Sequence, residues 1–219
     1  MGFIDKIIKA LQGGTLKKEK SIYEYKMFEP FEIDIAQANE ERRRLNIQNG
    51  KNNADLCCVE IGNNSDFVFY KYQPDAYWSS DEHILRQTKS EPKNIVYFGE
   101  AKTYNCIYHD FLFKINGHSI TGSNEHQIFL TNVYSGDTYY VNFFATGQVR
   151  FPTPDDIHFY CRDVVEEMYV TQDDHLIVEI KRYKDRGDYI DPDSVEGYYK
   201  LHIDYVDGDF IPSLYLNSK

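Results

Sequence analysis

The chain has 219 residues, 42% of them hydrophobic, which is enough apolar material to form a core without disulfides or metals. Its formal net charge is −11, a balance that repels DNA, RNA and anionic membranes and favours basic partners. Four cysteines, no continuous apolar stretch near the start and no run of about 18 apolar residues predict free thiols, a cytoplasmic location, no export signal and no membrane span.

The first expected element is a short helix. Phe3, Ile4, Ile7, Ile8 and Leu11 recur at helical spacing, and Gly13-Gly14 stops the pattern. A helix this short needs a surface for its stripe, either its own domain or a neighbouring subunit. Lys17, Lys18 and Lys20 then read as a solvated linker.

A second helix is predicted from Glu32 to Gln48, with Ile35, Ala38, Leu45 and Ile47 as its sparse apolar side. Glu40 and Glu41 precede Arg42, Arg43 and Arg44, as the helix dipole favours, and Glu40 stands four residues before Arg44 for a surface pair. The arginine triplet reads as a solvated face. Asn49, Gly50, Asn52 and Asn53 form a loop that separates a helical N-terminal extension, 1–53, from an antiparallel β domain, 54–219.

The β domain reads as hairpins in series. Val59–Ile61 turns through Gly62-Asn63-Asn64 into Phe67–Tyr72, and Ile95–Phe98 follows. Tyr104–Tyr108 precedes Phe111–Ile115, which is expected to turn at Asn116-Gly117 into His118–Thr121. Ile128–Tyr134 turns at Ser135-Gly136-Asp137 into Thr138–Phe144. Val164–Val170 turns at Gln172-Asp173-Asp174 into Leu176–Tyr183, and Tyr198–Val206 turns at Asp207-Gly208-Asp209 into Phe210–Leu216. With 19 Tyr and 14 Phe suited to a pleated surface, the fold class is mainly β: an antiparallel meander preceded by two N-terminal helices. Cys106–Phe144 and Met168–Leu216 share a loose pattern, so the meander is a curved sheet, a sandwich or a propeller-like array.

No chemical motif stands out. Adjacent Cys57 and Cys58 point to opposite faces of a strand and are not expected to bond. Cys106 and His109 form a C-x-x-H without a second pair to complete a zinc site. The acids at Asp191, Asp193 and Glu196, and at Asp204, Asp207 and Asp209, do not match the EF-hand loop. Asp173-Asp174-His175 has the composition of a hairpin turn. No phosphate-binding glycine loop or nucleophile elbow is present, and no cofactor is expected.

These features point to a non-catalytic protein-binding module with a basic protein partner. Acidic and aromatic residues between the last two expected hairpins, Asp185, Asp188, Tyr189, Asp191 and Asp193, are the candidate contacts. A bacterial immunity-type protein, which neutralises a toxin by direct binding, has this profile. The alternatives are a hydrolase using a subset of His109, His118, His126 and His175 with nearby acids, and a structural assembly subunit docked through its first helix.

Overall fold

The structure, a computed structural model, describes residues 17–18, 26–51, 55–74, 82–115, 127–142, 161–184, 195–207 and 209–216. It is mainly β, and the thirteen strands among the described residues pair antiparallel throughout. They run β1 Lys17–Lys18, β2 Cys58–Asn63, β3 Phe67–Tyr72, β4 His83–Thr88, β5 Glu91–Glu100, β6 Tyr104–Tyr108, β7 Phe111–Ile115, β8 Gln127–Asn132, β9 Thr138–Asn142, β10 Cys161–Val170, β11 His175–Lys184, β12 Val195–Val206 and β13 Asp209–Leu216. A single helix is found among the described residues, α1 at Ile35–Gln48, rather than the two expected; the stretch from Phe3 to Leu11 lies outside them.

The strands form three sheets of successive neighbours. The first has the order β2-β3-β4-β5, the middle one β1-β9-β8-β7-β6, and the third β10-β11-β12-β13. One departure from the sequence reading is at Lys17–Lys18, expected as a linker, which pairs with Tyr139 and Tyr140 at the edge of the middle sheet. The ladder partners of β7 are β6 and β8, with Ile115 opposite Ile128; the expected turn at Asn116-Gly117 into His118–Thr121 lies outside the described residues.

The middle sheet explains why its strands read as unbroken apolar runs. Side chains alternate across a strand, so a strand covered on one face only shows a period of two. All five residues of β7 are buried, because this sheet is covered on both faces. Cys106, Tyr108, Phe111, Phe113 and Ile115 face the third sheet and pack with Val165, Met168, Leu176, Val178, Ile180, Leu201, Ile203 and Phe210. Ile107 and Leu112 point the other way, onto Phe69, Ile84 and Phe98 of the first sheet.

Residues 26–31 belong to the first sheet as well. Phe28 N–H donates to Tyr97 O at 2.8 Å, Tyr97 N–H to Glu29 O at 2.9 Å and Phe31 N–H to Ile95 O at 2.9 Å, so this segment runs along β5. Met27 and Phe28 then pack on the core formed with the middle sheet. Gly136, at φ +74, lies beneath them; a Cβ there would stand 2.4 Å from Met27 Sδ. Glycine therefore meets two demands at this turn, a left-handed backbone and a close approach. Arg86 fastens the same region. Its guanidinium lies over Phe67 at 4.2 Å and Phe28 at 4.7 Å, and it donates to Val133 O at 2.7 Å.

Helix α1 starts at Ile35 because the Asp34 carboxylate accepts from Gln37 N–H at 2.9 Å, and the chain turns at Gly50 with φ +65. Its docking inverts the expected faces. Leu45 and Ile47 are exposed, whereas Arg42 and Asn46 are buried. Asn39, Arg42 and Asn46 form a polar stripe aimed at backbone groups of the first sheet. Asn39 accepts from Cys58 N–H and donates to Cys58 O, both at 2.9 Å, as a neighbouring strand would. Arg42 donates to Gln73 O at 2.8 Å and Pro74 O at 3.0 Å, and Asn46 to Asp55 O at 2.9 Å. The triplet is thus not one solvated face: Arg42 is structural, and Glu40 pairs with Arg43 at 3.4 Å.

The helix therefore meets the edge strand β2 through hydrogen bonds to its unpaired backbone, a standard means of protecting a sheet edge. Asn39→Ala is expected to destabilise the fold by about 1–3 kcal/mol, because the Cys58 N–H and C=O lose their partners. Urea denaturation checks the magnitude, and faster amide exchange at Cys58 checks the mechanism.

Candidate functional site

The third sheet has one face in the core and one outward. Along β11 the outward residues are His175, Ile177, Glu179 and Lys181; on β12 they are opposed by Asp204, His202, Lys200 and Tyr198. On β13, Ile211, Ser213 and Tyr215 continue the same rows. The inward set, Leu176, Val178, Ile180, Leu201, Ile203 and Phe210, is almost fully buried. Alternation alone sets this division.

The outward face is polar at its centre and apolar along its β13 side. Lys200 Nζ contacts Glu179 at 2.7 Å, and Tyr169 OH donates to Glu179 at 2.9 Å. The bond from Lys200 holds the Glu179 carboxyl below its ordinary value, and the same bond raises the Lys200 ammonium. His175 Nδ1 meets Asp204 Oδ1 at 2.6 Å across the β11–β12 pair. The ring of His202 stacks 4.5 Å from Tyr215 and 6.3 Å from His175. Burial lowers the pKa of His202, partly opposed by Asp204. Beside this network Val206, Ile211 and Tyr215 are 47%, 42% and 54% exposed, although large apolar side chains favour the interior. Glu167 and Asp207, both exposed, add acids to the same sheet.

A second histidine–aspartate pair lies where three turns meet. His109 Nε2 is 3.1 Å from Asp174 Oδ2, and its ring lies against Tyr205 at 4.1 Å and meets Tyr108 edge-on at 4.5 Å. Tyr108 OH donates to Asp174 O at 2.7 Å and accepts from Tyr205 N–H at 3.1 Å. Burial pushes Tyr108 up to about 12, so it stays a phenol and a donor. His109, Asp174 and Asp207 take left-handed φ values of 52, 63 and 51, each at a strand-joining turn. The His175–Asp204 pair lies on the outer side of the sheet, whereas Tyr205, which carries the ring of His109, packs on its inner side.

The chemistry of these groups is bounded. Among the described residues, no hydroxyl or thiol is hydrogen-bonded to the ring of His109 or His175, and no group of three or more His, Cys, Asp or Glu is placed to hold a metal ion. Burial raises the Cys106 thiol far above its ordinary value. Cys58 is pushed up to about 12 by burial and by the neighbouring Cys57 thiol, and both thiols are free and buried. Protonated, buried thiols are poor nucleophiles.

The candidates Asp185, Asp188, Tyr189, Asp191 and Asp193 lie outside the described residues, between the end of β11 and the start of β12. His118 and His126 lie outside them too. The structure brings His109 to Asp174 and His175 to Asp204. It adds Tyr169, Glu179, Lys200, His202, Val206, Ile211 and Tyr215, which the sequence reading did not single out. One signal was present: Phe210, Ile211 and Tyr215 place large apolar groups on both faces of a strand with one face in the core.

No protein-family model matches the chain, and no match was found among curated proteins or among solved structures. No helix among the described residues is long and apolar enough to cross a membrane.

Proposed function

We propose that this chain is a non-catalytic protein-binding module that takes a basic protein partner on the outward face of its third sheet. The observation that carries the reading is the exposed row of Val206, Ile211 and Tyr215 set beside Asp204 and Asp207, with Lys200 opposite Tyr215. An aromatic and two aliphatic anchors rimmed by acids make a surface for a partner with an apolar centre and a basic edge. The sequence between β11 and β12 carries further acids and an aromatic, Asp185, Asp188, Asp191, Asp193 and Tyr189. An immunity-type role, in which a toxin is neutralised by covering its surface, is the specific form we favour, with a cytoplasmic setting.

The fold suits that role. Three consecutive meanders place their first strands, β2, β6 and β10, against one another in sequence, which we read as a propeller-like stacking of blades.

The test is co-purification of the native protein from its host, followed by binding of the captured partner to variants. Tyr215→Ala and Ile211→Ala remove exposed groups, so folding is retained while affinity falls about 10- to 100-fold for the tyrosine. Affinity is also expected to fall as salt rises, through a slower association rate. Purification of the free chain alone under conditions where its genomic neighbours are expressed, or full affinity in the double variant, would reject the reading.

A further inference from the structure

The start of the chain follows the outer strands of the sheets. Residues 26–31 bond to Tyr97 and Ile95 of β5, the last strand of the first sheet. Lys17 and Lys18 pair with Tyr140 and Tyr139 of β9, the last of the β6–β9 meander in the middle sheet. Followed backwards, the chain passes from the first sheet to the middle one. The corresponding strand of the third sheet is β13, and residues 1–16 precede Lys17. Packed sheets lie about 10 Å apart, and residues 13–16, if extended, span about 13 Å. The apolar stripe of residues 3–11 therefore stands within reach of the third sheet.

The edge of β13 is poorly suited to a further strand. Pro212, opposite Ile203, carries no N–H, so a ladder on the open edge would lack a donor there. The third sheet offers its outward face instead, where Val206, Ile211 and Tyr215 are exposed beside Asp204 and Asp207. Charge and polarity match across the two parts. Residues 1–20 hold Lys6, Lys9, Lys17, Lys18 and Lys20 against Asp5 and Glu19, a formal +3 in a chain of −11. Phe3, Ile4, Ile7, Ile8 and Leu11 need an apolar surface, and the row on the third sheet supplies one.

We propose that residues 3–11 dock on the outward face of the third sheet, as an autoinhibitory cover that a basic partner must displace. The chain's own segment has the chemistry assigned above to that partner: an apolar centre in a basic surround. Autoinhibition rests on the partner-binding reading of this face, whereas the contact itself does not.

Hydroxyl-radical footprinting of the full-length chain, read by mass spectrometry with no partner present, tests the contact. In the variant Ile4→Asp/Ile7→Asp/Leu11→Asp, labelling of Tyr215 is expected to rise about threefold or more as its apolar cover is lost. Tyr134, 45% exposed in the turn between β8 and β9, should stay unchanged. A synthetic peptide of residues 1–16 should restore the protection. In the wild-type chain, carbodiimide should couple Lys6 or Lys9 to Asp204, Asp207 or Glu167 within one molecule; this coupling decides if Tyr134 labelling also rises in the variant. Equal Tyr215 labelling in the two chains would overturn the proposal. So would protection that grows with protein concentration, which assigns the cover to a second copy. The footprint can fail while partner capture succeeds, and a failed capture leaves the footprint as it is.

Discussion

Lys114→Met is expected to stabilise the protein at pH 7, by about 1–3 kcal/mol, with the midpoint of urea denaturation moving up. The wild-type chain must hold an ammonium in a place where burial and Lys102 disfavour charge. Lowering an amine from 10.5 to about 8 corresponds to about 3 kcal/mol of destabilisation while both states are protonated. The sign sets the pH window. Below about 8 the folded and unfolded chains both carry the proton, and the full penalty is present. Between about 8 and 10.5 the folded chain loses its proton while the unfolded chain keeps it, so stability rises with pH. Above 10.5 both are neutral, and the penalty is gone. Methionine fills the same volume without charge, so the variant loses this rise. A wild-type stability that is flat from pH 8 to 10, after subtraction of the variant's curve, would show that the lysine head is solvated.

Tyr108→Phe is expected to destabilise the protein by about 2–4 kcal/mol, measured by denaturation at fixed pH. The ring is 1% exposed and stays in place, so the core it packs is unchanged. What is lost is a hydroxyl serving two backbone groups from different elements, Asp174 O in the β10–β11 turn and Tyr205 N–H in β12. Both would remain without that partner, and two unsatisfied, partly buried polar groups account for the magnitude. The His109–Asp174 contact should loosen with the turn, giving faster amide exchange at Tyr205. A variant as stable as the wild type would mean that water replaces the hydroxyl.

The strands were legible to different degrees. Hairpins with a turn between two apolar runs, such as β8–β9 around Gly136 and β12–β13 at Asp207, stood where the residues put them, because positive φ and alternation are local properties. β4 was missed. Its residues, His83 to Thr88, have only Ile84 and Leu85 as aliphatic side chains, and they are adjacent rather than alternating. Arg86 owes its place to three aromatic rings supplied by residues 28, 67 and 98, which no window along the chain brings together.

Helix α1 failed in the opposite way. Its span was readable from its charge order and the Asn/Gly loop that follows it, and its buried face was not. Apolar spacing assigned Leu45 and Ile47 to the inside, but the surface it meets is a row of backbone amides and carbonyls. Against such a surface Asn39, Arg42 and Asn46 bind better than leucine would, since each satisfies a polar group that a hydrocarbon would leave bare.

The sequence by itself determined a mainly β antiparallel chain, an acidic balance and most of the turns, since these follow from residue type, alternation and charge. The tertiary structure decided the rest. It divided the strands into three sheets and buried the middle one on both faces. It turned two histidines to aspartates 65 and 29 positions away, and it buried a lysine in β7. The physical reason is the same in each case. A side chain's environment is set by elements distant in sequence, and the pattern around the residue itself records only which way its own backbone points.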